Sequence, residues 1–227
     1  MSGIWAVVPV KEISGAKQRL ASRLSPGQRQ ALATAMAEDV LDALAAVTQL
    51  AGILVITLDP WASSLAGRYG ARVMTDGARD GHTGAVNAAI RLLVREGRSG
   101  MLTVPGDIPN IAAPEVAATL AAHRPAPAFT IVPAHDDLGS NAILCSPPDA
   151  VPLRFGDNSF FPHLDAARRC GIEPTVIRHP GIAMDIDHPA DLAALLRMSP
   201  PRPSRTLSFL QHSGVAENVL AATGQTG

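Results

Sequence analysis

The sequence has few of the features that mark membrane, disulfide-rich or nucleic-acid-binding proteins. It contains only two cysteines, Cys145 and Cys170, and aromatic residues make up 4% of the chain. With 19 basic and 20 acidic residues the formal net charge is −1, so no strong field attracts nucleic acid or an anionic membrane. No apolar run reaches the roughly 18 residues of a membrane-spanning helix, and no signal peptide is recognisable. We therefore expect a cytoplasmic protein with two free thiols, no membrane segment and no nucleic-acid partner.

Several catalytic motifs are also missing. The chain has neither the GxxxxGK[ST] pattern of a P-loop nor the GxGxxG pattern of a dinucleotide fold. It has no GxSxG elbow for Ser-His-Asp hydrolysis, and its seven histidines show no spacing typical of zinc ligands. Any phosphate chemistry must therefore depend on a few placed side chains outside these motifs.

The distribution of apolar residues predicts an α/β fold. Hydrophobic residues make up 47% of the chain, which is enough for a substantial core. Short apolar runs alternate with helical segments, and this pattern predicts a mainly parallel sheet covered on both faces. In such sheets ligands bind at the carboxyl ends of the strands. Strands are predicted at 4–10, 52–58, 71–74, 100–104, 129–133, 142–145 and 174–177.

Helices are predicted between these runs, and the clearest start is at Ser25. With Ser25 as N-cap, Pro26 at N1 and Gln28 at N3, a capping box opens a helix to about residue 47. Residues 1–199 are assigned to a single α/β domain. Residues 200–227 are predicted to be a Pro-rich linker and a weakly amphipathic C-terminal tail. Other helices are predicted at about 59–69, 83–96, 113–123 and 159–170, and from 188 onward.

Three acidic residues are candidates for metal-dependent chemistry. Asp107 follows an apolar strand in the tight turn of LTVPGDIP, at the end of the sheet where ligands bind. In MDID, Asp185 and Asp187 point to one face if the stretch is extended. Carboxylates that share a face repel unless a cation lies between them, and such oxygen ligands suit Mg²⁺. In the plainer interpretation, Asp107 caps its own turn, Asp187 caps the following helix and Asp185 is solvated.

A basic loop follows the first strand. Lys11, Lys17, Arg19 and Arg23 lie in VPVKEISGAKQRL and just beyond it. Backbone amides and several cations at a first βα turn are typical of a triphosphate cradle. A solvated basic face would have the same composition, so this alternative stays open.

Three further stretches could contact a ligand through small side chains and backbone N–H groups. Residues 80–87 (DGHTGAVN) enter a helix with polar groups suited to a base or a ribose. Residues 139–141 (GSN) and 154–160 (RFGDNSF) offer backbone donors, and the latter lies at a predicted helix N-terminus, where anions are favoured. Ordinary turns would also explain all three.

Taken together, these segments resemble the guanylyltransferases of coenzyme F420 biosynthesis, the 2-phospho-L-lactate and phosphoenolpyruvate guanylyltransferases. The matches span about residues 4–198. Position 141 is Asn where some bacterial relatives have Thr, and GHTGAVN matches the family's Gly-Leu-Asn region only loosely. The matching pieces are VPVKEISGAKQRL near the N-terminus, VPGDIP at 104–109, GSNAIL at 139–144, FGDNSFFPHL at 155–164 and DIDHPADL at 185–192.

The resemblance implies a fold and a reaction. The fold would be an α/β, Rossmann-like, mixed and mostly parallel sheet of the nucleotide-diphospho-sugar transferase type. The enzyme would transfer GMP from GTP to 2-phospho-L-lactate, phosphoenolpyruvate or 3-phospho-D-glycerate and release pyrophosphate. It would use Mg²⁺, with two ions expected, and its small-molecule substrates would be its main partners. A homodimer is the assembly that the family suggests.

The resemblance also implies roles for individual residues. Asp107, Asp185 and Asp187 would bind the metal ions. Lys17, Arg19 and Asp107 are the expected catalytic residues, and Lys17 and Arg19 would neutralise charge on the departing pyrophosphate. The acceptor's carboxylate would lie against Asn141, Gly156 and Ser159. The residues expected to contact the nucleotide are Pro9, Val10, Lys11, Lys17, Arg19, Asn87 and Pro105.

Two alternatives remain. One is another nucleotidyltransferase of the same fold, such as a molybdopterin guanylyl- or cytidylyltransferase. Such enzymes carry a glycine-rich LAGGxSxRMG-type loop after the first strand, where this chain has VPVKEISGAKQRL. The other is a nucleotide-binding regulatory or scaffold protein without catalysis, although such a protein would not need the three acids.

Overall fold

The fold was analysed in a computed structural model that describes residues 3–156, 158–198 and 204–223. The strands are β1 (Ile4–Pro9), β2 (Gly52–Ile56), β3 (Arg72–Met74), β4 (Gly100–Thr103), β5 (Ala128–Pro133), β6 (Ser140–Ser146) and β7 (Thr175–Val176). The helices are α1 (Pro26–Ala45), α2 (Pro60–Arg68), α3 (Gly81–Arg95), α4 (Ala113–Ala122), α5 (Phe160–Arg169), α6 (Pro189–Arg197), α7 (Arg205–His212) and α8 (Val215–Thr223).

The strands form one sheet in the order β3-β2-β1-β4-β6-β5-β7. The pairs that include β6 are antiparallel and the others are parallel, so β6 runs against the other six described strands. The predicted mixed, mostly parallel sheet is therefore confirmed. The chain adds β2 and β3 on one side of β1 and then crosses to β4 on the other side. This change of direction leaves a crevice beyond the carboxyl ends of β1 and β4.

Helices cover the sheet on both faces, which explains the continuous apolar runs of its central strands. In β1, Ala6, Val7 and Val8 are all fully buried. Val7 belongs to the cluster that includes buried residues of α3 and α5, whereas Ala6 and Val8 pack with buried residues of α1 and α2. Alternate side chains of one strand thus supply both layers of the core.

Local signals read from the sequence place the helix starts well. The Ser25 hydroxyl accepts a hydrogen bond from the Gln28 backbone N–H, and the Gln28 side chain accepts one from the Ser25 N–H. Asp59 caps α2 in the same manner, through the N–H groups of Trp61 and Ala62. The other predicted bounds differ from the observed ones by a few residues; α3, for example, begins at Gly81 rather than at 83.

The C-terminal segment forms helices that share a core with the rest of the chain. The stretch predicted as a Pro-rich linker includes residues 200–203, which lie outside the described residues. Beyond it, α7 contacts α1 and α8 contacts α6. Leu207, Leu210 and Val215 are buried there in a third apolar cluster, with residues of α1 and α6.

A buried carboxylate holds α7 in place. Asp39 of α1 is fully buried, and its two oxygens accept hydrogen bonds from the backbone N–H groups of Arg205 (2.9 Å) and Thr206 (3.0 Å). These N–H groups belong to the first turn of α7, where no intrahelical acceptor exists. Within the part of the chain that the structure describes, no helix has the length and apolar character needed to cross a bilayer.

Candidate active site

A cleft of about 710 Å³ opens beyond the carboxyl ends of β1 and β4. It is bordered by the loop after β1, by the turn after β4 and by the start of α3. Its volume lies within the roughly 300–1,000 Å³ that is usual for small-molecule sites. Eight of the predicted site residues line it, namely Pro9, Val10, Lys11, Lys17, Arg19, Pro105, Asp107 and Asp187.

The centre of the cleft is an ion cluster of one lysine and two aspartates. Lys17 Nζ lies 2.5 Å from Asp107 Oδ2 and 2.9 Å from Asp187 Oδ1. Arg19 reaches the other oxygen of Asp187 at 3.3 Å from a more exposed position. Burial opposes the charge on Lys17, but Asp107 and Asp187 outweigh it, and the pKa of Lys17 is raised. Burial likewise opposes the charge on Asp187, and Lys17 and Arg19 reverse this effect, so that the pKa of Asp187 is lowered.

The loop that carries Lys17 is anchored at a distance from the ion cluster. The backbone N–H of Ile13 donates to the Asp59 carboxylate at 2.9 Å, and the buried Ile13 side chain fixes the first short turn of the loop. Lys17 itself adopts a left-handed backbone conformation with φ of 54°. A non-glycine residue in this region carries a conformational cost, and such residues are concentrated at functional sites.

The two aspartates of the MDID stretch share one face, as predicted. Met184 and Ile186 are buried, whereas Asp185 and Asp187 alternate with them and are half-buried. The Ile186 N–H donates to the Asp107 carbonyl at 3.1 Å, which joins this stretch to the turn after β4. The plainer interpretation of these acids is therefore wrong, because Asp187 faces Lys17 and does not cap α6.

The cap of α6 comes from a different acid. Asp191 accepts hydrogen bonds from the backbone N–H groups of Asp187 (2.9 Å) and His188 (2.7 Å), and His188 occupies the N-cap position. The carboxylate of Asp187 is thus left to the cleft.

Asp185 lies beside Asn141 rather than beside Lys17. The Asn141 side-chain nitrogen donates to Asp185 Oδ1 at 3.1 Å and to the Ile182 carbonyl at 3.0 Å. Burial raises the pKa of Asp185 and the charge of Asp107 raises it further, whereas the hydrogen bond from Asn141 opposes this. Asp185 is therefore close enough to the ion cluster for the negative charge of Asp107 to destabilise its ionised form.

The predicted metal ligands are adjacent, but they are not gathered around one point. No group of three His, Cys, Asp or Glu side chains in the described ranges is placed to hold a metal ion. The donor set nevertheless fits Mg²⁺, because it consists of carboxylate oxygens and because Asp107 and Asp187 already share one cation, the Lys17 ammonium. A metal ion at these two acids would replace Lys17.

The start of α3 forms another wall of the cleft and connects it to the loop before α5. His82 lines the cleft and packs edge-on against the Phe155 ring, with 4.4 Å between the ring centroids. Thr83 exchanges hydrogen bonds with the Phe155 backbone, donating to its carbonyl and accepting from its N–H. Burial lowers the pKa of His82 to about 4, so the ring is neutral near neutral pH.

A buried hydrogen-bonded chain lies behind this loop. The Ser159 hydroxyl donates to Ser140 Oγ at 3.2 Å, and Ser140 Oγ lies 3.0 Å from His163 Nδ1. His163 Nε2 accepts a hydrogen bond from the Arg154 backbone N–H at 3.2 Å. Burial lowers the pKa of His163 to about 4. Ser159 occupies the N-cap position of α5 but makes no side-chain cap.

The remaining predicted residues lie away from the cleft lining. Asn87 is on the second turn of α3, half-buried, and is not among the residues that border the cleft. Asn141, Gly156 and Ser159 lie beyond Asp185 and Phe155, in a region that adjoins the cleft through Asp185 and His82. Gly156 is exposed on the loop before α5, next to residue 157, which is outside the described residues.

Two histidines near the cleft make contacts that the sequence patterns do not predict. His82 lies in the stretch 80–87, and its place after Gly81 at a helix start is a local signal for it. His163 contacts Ser140, 23 residues away, and no spacing rule connects the two residues.

Comparisons with known proteins identify the family of this chain. The family model described as "Guanylyl transferase CofC like" matches residues 4–217. A phosphoenolpyruvate guanylyltransferase from Rubrobacter xylanophilus is 39% identical over 196 residues, 85% of this chain and 93% of that protein. A 3-phospho-D-glycerate guanylyltransferase from Colwellia psychrerythraea is 35% identical over 195 residues, 86% of this chain and 92% of that protein.

Solved structures support the fold. A protein from Desulfovibrio desulfuricans G20 described as a nucleotide-diphospho-sugar transferase has a TM-score of 0.75 at 18% identity, covering 97% of this chain and 98% of that one. A 4-diphosphocytidyl-2C-methyl-D-erythritol synthase has a TM-score of 0.60 at 15% identity, covering 86% and 97%. The fold is thus that of the nucleotidyltransferases, and the family match with relatives above 30% identity shows that this chain belongs to the CofC-like guanylyl transferases and is a nucleotidyltransferase.

Proposed function

We propose that this enzyme transfers GMP from GTP to a phosphorylated three-carbon acid, with release of pyrophosphate. The acceptors considered are phosphoenolpyruvate, 3-phospho-D-glycerate and 2-phospho-L-lactate. The first two are named in relatives of 39% and 35% identity, and the third comes from the resemblance of the sequence motifs. The product would serve coenzyme F420 biosynthesis.

The observation that carries this proposal is the ion cluster in the cleft. A reaction between two phosphates must overcome the repulsion between two polyanions. The cleft brings together two cations, Lys17 and Arg19, and two carboxylates, Asp107 and Asp187, which would be free to hold a metal ion once Lys17 turns to the triphosphate. A protein that only binds a nucleotide would not need paired carboxylates beside the phosphate site.

This arrangement supports the following reaction. An oxygen of the acceptor's phosphate attacks the α-phosphorus of GTP in line, and a new P–O bond forms. The bond from the α-phosphorus to the oxygen that bridges to the β-phosphate breaks, and pyrophosphate leaves with those electrons. The attacking oxygen is already anionic near neutral pH, so no strong general base is required. Lys17 and Arg19 would neutralise charge on the departing pyrophosphate.

Mg²⁺ fits the acidic side of the cleft. When bound, the metal would screen the negative charges of GTP and acceptor, with Asp107, Asp185 and Asp187 as its protein ligands. Lys17 would then move from the carboxylates toward the triphosphate. Its long side chain and its position on the loop between β1 and α1 allow contact with either group.

The two substrates would occupy opposite sides of the acids. GTP would lie along the loop after β1, against Pro9, Val10 and Lys11, with its base toward α3. The acceptor would lie on the side of Asp185, with its carboxylate in the region of Asn141, Gly156 and Ser159. A homodimer is compatible with this arrangement.

The test is an assay of the purified protein with Mg²⁺ and each of the four NTPs against the three acceptors. Pyrophosphate release would be followed, and products identified by mass. We expect release with GTP and with at least one of the acceptors, and a product of GMP joined to the acceptor's phosphate. GTP binding without release from any pair would contradict the proposal.

The matched control for this assay is a variant at an exposed acid outside the cleft. Asp165 lies on α5 with its side chain 62% exposed. Asp165→Ala should keep the wild-type rate, whereas Asp107→Ala should abolish most of it. Equal rates of GMP transfer in the two variants would mean that the ion cluster takes no part in the reaction.

A further inference from the structure

In the proposed acceptor region, the hydrogen bonds among the described residues leave one side-chain donor without an acceptor. Ser140, Ser159 and His163 are joined by hydrogen bonds behind the loop before α5, and Asn141 follows Ser140 on β6. Each side chain has a fixed number of N–H or O–H groups. A group that donates to no acceptor within the protein can donate to a ligand.

Asn141 has no side-chain N–H left for a ligand. Its amide nitrogen carries two hydrogens, and these are directed to the Ile182 carbonyl at 3.0 Å and to the Asp185 carboxylate at 3.1 Å. The residue is 94% buried, since only 6% of its surface is exposed. Asn141 therefore orients Asp185, and both of its side-chain N–H groups are engaged within the protein.

The direction of the histidine hydrogen bonds is fixed by the backbone. The Arg154 N–H can only donate, so His163 Nε2 must accept. The neutral ring then carries its hydrogen on Nδ1, and Nδ1–H donates to Ser140 Oγ at 3.0 Å. His163 is 2% exposed, and this burial favours the neutral ring, while the Arg154 N–H selects the tautomer.

The hydroxyl hydrogen of Ser159 is also used within the protein. It is 5% exposed, and its hydroxyl donates to Ser140 Oγ at 3.2 Å. Ser140 Oγ thus accepts two hydrogen bonds, from His163 and from Ser159, and its own hydrogen has no acceptor among the contacts found for the described residues. Ser140 is half-buried, so this hydrogen can reach a ligand.

We propose that Ser140 is a further acceptor-binding residue, whose hydroxyl donates to the acceptor's carboxylate and is aimed by His163 and Ser159. This inference rests on the proposed function, because it assigns a contact within the acceptor site. Ser159 then acts through Ser140 as a positioning residue. The ligand that suits this site is an anion, because the Ser140 hydroxyl is a hydrogen-bond donor and because His163 and Ser159, which lie behind it, also donate.

The kinetic test compares two serine variants in the enzyme with its best acceptor. Ser140→Ala should raise the acceptor KM about 10- to 100-fold, as expected for a lost hydrogen bond to a charged group. The GTP KM should stay within about twofold, because no contact to GTP changes. Ser140→Thr keeps the hydroxyl and should restore most of the acceptor affinity. Ser159→Ala should raise the acceptor KM less than Ser140→Ala does.

A spectroscopic test needs no variant of the serines and therefore does not depend on their folding. In protein labelled with ¹⁵N-histidine, the His163 signal can be assigned by its loss in His163→Gln. We expect a neutral ring with its hydrogen on Nδ1 at pH 7, and a shift of this signal when the acceptor binds. If the hydrogen is on Nε2 instead, Nδ1 must accept the hydrogen bond from the Ser140 hydroxyl. Ser140 would then have no free hydrogen, and the proposal would be wrong.

The outcomes separate this inference from the proposed function. If the wild type transfers GMP and Ser140→Ala keeps the wild-type acceptor KM, the inference is wrong and the proposed function stands. A larger effect of Ser159→Ala than of Ser140→Ala also contradicts it. If the wild type transfers GMP to no acceptor, the proposed function fails and this inference fails with it.

Discussion

The ammonium group of Lys17 lies 2.5 Å from the carboxylate of Asp107 and 2.9 Å from that of Asp187, two of the acids proposed to hold Mg²⁺. If these acids hold the metal, Lys17 and the metal would compete for the same two carboxylates. A ligand that must displace an occupant binds with an apparent affinity reduced by the fraction of vacant sites. The metal affinity of the free enzyme should therefore depend on Lys17, which is not itself one of the proposed metal ligands.

We predict that Lys17→Met binds Mn²⁺, used as a spectroscopic substitute for Mg²⁺, about tenfold more tightly than the wild type when no GTP is present. The same variant should lose most of its turnover, because the triphosphate loses a cation. Free Mn²⁺ can be measured by electron paramagnetic resonance. Arg23→Met is the matched control, since Arg23 lies on the same loop, is exposed and does not line the cleft. Weaker Mn²⁺ binding by Lys17→Met than by Arg23→Met would disprove the competition.

Asp187→Ala should lower kcat by about 10²-fold or more, by analogy with the loss of one electrostatic stabiliser of a transition state. Asp187 neither caps α6 nor fills the core, so the free energy of unfolding should change little. Steady-state pyrophosphate release and a urea titration would give the two quantities. Near-full turnover with GTP and Mg²⁺ would show that Asp187 is not needed for the metal.

The outline of the fold and the identity of the acids could be predicted from the sequence. The continuous apolar run at Ile4–Pro9 and the capping box at Ser25 are local patterns, and the structure confirms both. Asp107 was placed by the rule that ligands bind at strand carboxyl ends, and Asp187 by the alternation of side chains along an extended stretch. These predictions succeeded because each depends on residues that are close in sequence.

The features that were missed depend on contacts across long stretches of chain. Residues 205–223 are weakly amphipathic, and their helices are stabilised by burial against α1 and α6, which no local pattern records. The contact of Lys17 with Asp187 joins residues 170 positions apart, and a basic loop alone does not reveal it. The direction of the Ser140–His163 pair depends on a backbone donor that only the folded chain supplies.

Asp39→Ala should lower the free energy of unfolding by about 2–4 kcal/mol, because it leaves two N–H groups of α7 without their acceptor in a buried position. Chemical denaturation would measure the loss. Asp39→Asn keeps one acceptor oxygen and should lose less than Asp39→Ala does. Equal stability of the wild type and Asp39→Ala would mean that α7 is not held by this carboxylate.

The stability of the protein should fall as the pH is lowered from about 6.5 to about 4, and His163 should account for part of the loss. Burial lowers the pKa of His163 to about 4 in the folded protein, whereas an unfolded histidine has a pKa of about 6.5. Between these values the unfolded chain binds a proton that the folded protein does not bind, so protonation favours unfolding; above about 6.5 both forms are neutral and the effect vanishes. His163 should therefore contribute about 3 kcal/mol to the loss by pH 4. Urea titrations between pH 7 and 4.5 should show a smaller pH dependence for His163→Gln than for the wild type, and identical pH dependence would mean that His163 already carries a proton in the folded protein or that its pKa is not lowered.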